Sequence, residues 1–198
     1  MGSFSAWPAQ AGGGGHGRLF QLNISFTVWT GFLPWRPMNN SGSVALSELL
    51  VPERIKLNLE SADRESVLRE LVGQIPELAG QPDARQTLLR ALQEREQLYS
   101  TGIGDGIALP HSRNALVGLV DRALVVFGRH ATGIAYGAPD ALPAQLFFLV
   151  VAPTVTQHLA ILARLIRLLR DPKLRQGFLN AERPEKVIEL VRAAEAKL

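Results

Sequence analysis

Ser100-Thr101-Gly102-Ile103-Gly104-Asp105-Gly106-Ile107-Ala108-Leu109-Pro110-His111 is the stretch on which the reading of this chain turns. Glycines stand at alternate positions, two hydroxyls precede them and a histidine follows. Glycine reaches backbone angles closed to other residues and lets a ligand approach the main chain closely. Pro110 fixes its own φ and biases Leu109 towards extended backbone, so the approach to His111 is stiff. A reactive side chain on a stiffened segment beside a loop rich in N–H groups is how a protein builds an anion site.

Outward from this stretch the pattern alternates helices with buried strands. Upstream, Leu46, Leu49 and Leu50 suggest a short helical turn, and residues 55–59 alternate as a strand. Ser61, with Asp63 in the first turn, opens a helix whose Val67, Leu68, Leu71, Val72 and Ile75 share one face. A break at residues 80–82 precedes a second helix, opened by Pro82 or Asp83 and running to about Leu98, with Leu88, Leu89 and Leu92 inward. Downstream, residues 106–109 form a short strand, and residues 122–128 and 144–152 are buried strands by their continuous apolar runs, with loop at 133–143 between them. Thr156 caps a helix with the face Leu159, Leu162, Leu165, Ile166 and Leu169; Asp171-Pro172 starts another, and Pro184 opens the last. Helix pairs around buried strands predict a layered α/β domain over residues 44–198.

Residues 1–43 stand apart. They hold all three tryptophans and the glycine run 12–15. The alternation at residues 21–28 is a strand signal, and the segment is expected to be a poorly ordered extension or one added strand, with Met38 as an alternative start. Its apolar part is too polar for a spanning helix, so no stable membrane insertion is expected. The chain has no cysteine, which removes disulfides, thiolate zinc sites and a cysteine nucleophile, and fits a reducing compartment.

The formal net charge of +3 in 198 residues divides into +2 on residues 1–44 and +1 on the rest. A near-neutral body lacks the concentrated positive footprint of a nucleic-acid binder, so no nucleic acid is expected as partner. The basic run Arg164, Arg167, Arg170, Lys173 and Arg175 reads as a solvated helix face, with a surface for an acidic protein as the sharper alternative. The glycine pattern is Gly-x-Gly-x-Gly, which is not the dinucleotide fingerprint, and no Gly-Lys-Ser/Thr is present for a P-loop. No histidine–carboxylate spacing suggests a metal, and no nucleophile elbow supports a serine hydrolase.

The segment from Thr101 to His111 resembles the active-site signature of enzyme IIA of the bacterial phosphoenolpyruvate-dependent phosphotransferase system, in its fructose/mannitol/nitrogen-regulatory class. Arg95 ahead of Ser100-Thr101, a second histidine (His158) at the start of a later helix, and the loop Tyr136-Gly137-Ala138-Pro139-Asp140 are similar to that family too. Ser112 departs from it, standing where glycine is more usual.

The resemblance implies an α/β sandwich with a mixed sheet flanked by helices, and a cytoplasmic phosphotransferase with a phosphohistidine intermediate. His111 would accept the phosphoryl group, with His158 and Arg95 assisting. Ser100, Thr101, Gly102, Gly104 and Gly106 would cradle it. No cofactor or metal is implied. The implied partners are an HPr-like phosphocarrier as donor and a IIB component or a regulated target protein. A chain with no IIB segment after His111 points to the nitrogen-regulatory branch, with a sugar-specific component of carbohydrate uptake as the alternative. Asp105 reads as a turn former, and His16 and His130 carry no role.

Overall fold

The structure, a computed structural model, describes residues 45–197. The extension at 1–43, its strand at 21–28 and the start at Met38 lie outside the described residues. The elements run α1 (Leu46–Leu49), β1 (Ile55–Lys56), α2 (Arg64–Gly73), α3 (Pro82–Leu98), β2 (Gly102–Gly104), β3 (Ile107–Ala108), β4 (Leu124–Ile134), β5 (Ala144–Val151), α4 (Val155–Leu169), α5 (Pro172–Leu179) and α6 (Pro184–Glu195). The strands form one sheet in the order β1-β4-β5-β3-β2. β4 and β5 pair antiparallel at its centre, β1 lies parallel to β4, β3 parallel to β5, and β2 antiparallel to β3. The sheet is therefore mixed, as expected.

Both faces of the central strands are covered, which is why β4 and β5 read as unbroken apolar runs. Val125 and Phe127 of β4, with Leu146, Phe148 and Val150 of β5, face α1, α4, α5 and α6. There the rings of Phe127, Phe148 and Phe178 meet with centroids 5.1 to 5.6 Å apart. The alternate residues Leu124, Val126, Phe147, Leu149 and Val151 face α2 and α3. The result is a layered α/β sandwich with one core on each side of the sheet.

Several boundaries differ from the sequence expectation. Asp63, not Ser61, caps α2: its carboxylate accepts the Ser66 N–H at 2.7 Å while Ser66 Oγ accepts the Asp63 N–H. Ser61 instead donates to Glu70. Thr154, not Thr156, caps α4, its hydroxyl accepting the Gln157 N–H at 3.3 Å. β1 is only two residues long, short of the expected strand at 55–59, and just beyond it the Arg129 side chain donates to the Leu57 carbonyl at 2.9 Å. β4 runs on to Ile134, through part of the expected loop, with an irregularity between Arg129 and Ile134.

Candidate functional site

His111 is placed by the sheet. Beyond β3 the chain keeps its register along β5, so that Ile107, Ala108 and His111 face Leu146, Phe147 and Val150 in turn. The Val150 N–H donates to the Pro110 carbonyl at 2.9 Å. Ile107 and Leu109 belong to the core beneath α4, and the two-residue period of a strand sends His111 to the same side. His158 comes to meet it from the start of α4, where its own N–H closes the first helical bond on the Thr154 carbonyl at 3.0 Å. The two imidazole centroids are 5.3 Å apart, with ring planes inclined at 57°.

The two rings differ in their bonding. His111 Nδ1 lies 2.7 Å from the Leu109 carbonyl oxygen. A carbonyl only accepts, so Nδ1 carries the proton and Nε2 of the neutral ring keeps its lone pair. His158 is only 5 % exposed and its Nδ1 is buried without a hydrogen-bond partner. Burial pushes both histidines below the ordinary imidazole pKa. The bond to Leu109 partly offsets this at His111, where the Arg95 charge lowers it further, and His111 adds to the depression of His158. Arg95 is held by donating to the Tyr99 carbonyl at 2.7 Å. Two neutral imidazoles, one with a defined nucleophilic nitrogen and one with an unmet polar atom, can take an electrophile and bind its oxygens.

The other candidates fall into two groups. Ser100 and Thr101 flank the Leu109 segment, and both hydroxyls are engaged within the fold. Ser100 Oγ donates to the Tyr136 carbonyl at 2.6 Å and accepts the Gly102 N–H at 3.0 Å, while Thr101 bonds the Glu96 carboxylate. Gly102 serves close packing, since a β-carbon there would lie 3.1 Å from Ala138 Cβ. Gly104, Asp105 and Gly106 form the turn of the β2–β3 hairpin with positive φ of 95°, 54° and 74°.

That turn lies five residues before His111, roughly 16 Å along extended chain, and at the opposite end of β3. The Asp105 N–H is already taken by the Asp140 carboxylate at 2.7 Å, which would repel an anion. The alternating glycines thus build a hairpin, with Asp105 as its turn former, and Gly104 and Gly106 stand away from His111. Ser112 is buried, and its hydroxyl donates to the Asn114 carbonyl at 2.6 Å. His130 accepts the Gly133 N–H at 2.9 Å within the irregular part of β4.

Sequence reasoning missed Glu96, a buried carboxylate on α3 bonded to both Thr101 and Tyr136. The signal was available: Glu96 continues the inward face of Leu88 and Leu92 at four-residue steps. No cluster of three or more His, Cys, Asp or Glu side chains suited to a metal occurs among the described residues.

A family model described as "Phosphoenolpyruvate-dependent sugar phosphotransferase system, EIIA 2" matches residues 48–194. The fructose-specific EIIABC component of Bacillus subtilis is 38% identical over 74% of this chain, and the match spans 23% of that longer protein. The fructose-specific EIIA component of Haloferax volcanii is 34% identical over 74% of this chain and 94% of its own length. A nitrogen regulatory protein of Bradyrhizobium diazoefficiens is 32% identical over 75% of this chain and 94% of its own. Among solved structures, nitrogen regulatory protein IIA-Ntr of Neisseria meningitidis superposes with a TM-score of 0.66 at 26% identity, over 75% of this chain and 99% of that one. With the mixed sheet, its flanking helices and the paired histidines, these matches make the chain a member of the EIIA 2 family of phosphoryl carriers in the phosphoenolpyruvate-dependent phosphotransferase system.

Proposed function

We propose that the chain carries a phosphoryl group on Nε2 of His111, received from a phosphohistidine on an HPr-like carrier protein. The observation that carries this reading is the bond from His111 Nδ1–H to the Leu109 carbonyl at 2.7 Å, which leaves Nε2 as the nucleophilic nitrogen. In the transfer the donor's N–P bond breaks as the Nε2–P bond forms. The donor imidazole departs with the electron pair, and the His111 Nδ1 keeps its proton, bonded to the Leu109 carbonyl, so no other reactant is needed. Burial keeps the ring neutral and therefore nucleophilic at neutral pH. His158, with its unmet Nδ1, would bind the arriving oxygens, and Arg95 would offset their charge. Ser100, Thr101 and Gly102 would support the segment behind the ring.

Two onward routes fit. Identities of 38% and 34% to proteins named as fructose-specific favour transfer to a separate IIB component in carbohydrate uptake. The 32% identity to a nitrogen regulatory protein and the 0.66 TM-score with IIA-Ntr favour a signalling role, in which the phosphorylation state of His111 governs binding of a target protein. Either route would run in the cytoplasm, and no helix among the described residues is long and apolar enough to cross a membrane.

The test supplies phosphoenolpyruvate, enzyme I and the carrier, and weighs the intact protein. An acid-labile phosphoryl adduct on the wild type and none on His111→Ala is expected. No adduct on the wild type, or an undiminished one on the variant, overturns the reading. Adding a fructose-type IIB domain then separates the routes, since discharge onto it supports uptake and retention supports signalling.

A further inference from the structure

A buried carboxylate is costly unless its oxygens are met by donors. Glu96 is 5 % exposed, and the transfer described above gives it no task. Its donors are the Thr101 N–H at 3.1 Å, the Thr101 hydroxyl and the Tyr136 hydroxyl at 3.1 Å. Two of the three come from one residue, and that residue faces the segment that aligns His111.

The ladder between β2 and β3 shows what this does. Gly102 pairs with Ala108, which sets Thr101 opposite Leu109. Facing residues of a hydrogen-bonded antiparallel pair exchange two bonds, each N–H to the other's carbonyl. The Leu109 N–H does donate to the Thr101 carbonyl, at 3.0 Å. The return donor is diverted: the Thr101 N–H points to Glu96, and the Leu109 carbonyl that it would have met takes His111 Nδ1 at 2.7 Å instead.

We propose that Glu96 is a positioning residue for His111: by drawing off the Thr101 N–H it reserves the Leu109 carbonyl for Nδ1–H, and so decides which imidazole nitrogen keeps its lone pair. The inference rests on the reading of His111 as phosphoryl acceptor for its consequence, but the tautomer itself exists without any phosphoryl group. Glu96 would touch neither the phosphoryl group nor the ring. It would act through two backbone groups, and its loss would first change the ring's tautomer and then, through the tautomer, the rate.

Nitrogen NMR of the full-length, unphosphorylated chain reads this directly. In the wild type, His111 should be the Nδ1–H tautomer, and the Thr101 amide should show no coupling across a hydrogen bond to the Leu109 carbonyl carbon. Glu96→Leu removes both acceptor oxygens, so the Thr101 N–H returns to Leu109 and His111 should become a mixture of tautomers. Phosphorylation by the charged carrier should then slow at least tenfold, as expected when a reacting atom loses its alignment.

Tyr136→Phe is the control, since it breaks another bond of the same carboxylate and leaves the Thr101 N–H in place; its His111 tautomer should match the wild type. An unchanged tautomer in Glu96→Leu, an equal shift in Tyr136→Phe, or a wild-type coupling from Thr101 to Leu109 would each overturn the proposal. If Glu96→Leu does not fold, the wild-type coupling decides. Absence of a phosphoryl adduct on wild-type His111 would overturn the carrier reading alone, because the tautomer is measured without it.

Discussion

His111 and His158 are histidines that the fold keeps uncharged. Burial is the main cause at both, so each binds a proton less readily in the folded chain than at the ordinary imidazole value of 6.5. The unfolded chain therefore takes up protons that the folded chain refuses as pH falls below 6.5. The stability tied to these rings is complete above that value and is lost as pH drops towards the folded pKa values. The thermal midpoint of the wild type should accordingly fall between about pH 7 and about pH 5.5, and it should fall less in His158→Gln. Calorimetry at matched ionic strength checks this, and an equal fall in both proteins would assign the effect to other groups. The same depression keeps the nucleophilic form of His111 populated under mildly acidic conditions. The site was legible in the sequence at this scale only in part. The two histidines and Arg95 were named from it, whereas Glu96 sits in the charged run Gln93-Glu94-Arg95-Glu96-Gln97, which reads as a solvated helix until its place on the Leu88–Leu92 face is counted.

Among the elements, α4 has the most direct bearing on the site, because its first turn carries His158. Thr154 is its N-cap, and the cap moves the helix start two residues ahead of the one expected at Thr156. Thr154→Ala should cost about 1 kcal/mol of stability, since the Gln157 N–H loses its acceptor. Fraying of that turn should also loosen the contact between the two imidazoles, visible as a broadened His158 ring resonance in the variant; a variant as stable as the wild type would show that the 3.3 Å bond contributes little. The helices were legible because apolar residues repeat at helical spacing and their starts carry Asp, Pro or Thr, but the face expected for α4 was turned: Leu159 and Ile166 are exposed, and His158, Ile161, Leu165, Leu168 and Leu169 are buried. The β2–β3 hairpin was not, because alternate glycines supply no apolar alternation and the same residues suit an anion loop equally well. The true turn is set by tertiary partners, the Asp140 carboxylate on the Asp105 N–H and Arg175 at 3.3 Å from the Asp105 carboxylate, and no local pattern announces them.

Across the whole described unit, the first and last helices are bound to each other. Glu195 of α6 accepts the N–H groups of Leu46 at 2.6 Å and Ser47 at 3.1 Å, and pairs with Arg164 of α4 at 3.0 Å. Ala45, the residue before α1, offers no side-chain cap, so this distant carboxylate caps the helix in its place. Glu195→Ala should destabilise the protein by about 1 to 3 kcal/mol, the cost of leaving such donors unmet. Amide exchange at Leu46 and Ser47 should quicken while exchange at Phe148, in the centre of the sheet, keeps its order of magnitude. Equal quickening at both would mean that the clasp and the sheet open together. A unit whose first and last described helices meet in this way has the two ends of that described segment close together. It can be spliced into a longer polypeptide, or have its ends joined and be opened elsewhere, without the sheet having to be rebuilt. For an engineer the Glu195 clasp is thus a socket: the described unit plugs in where its first and last helices meet.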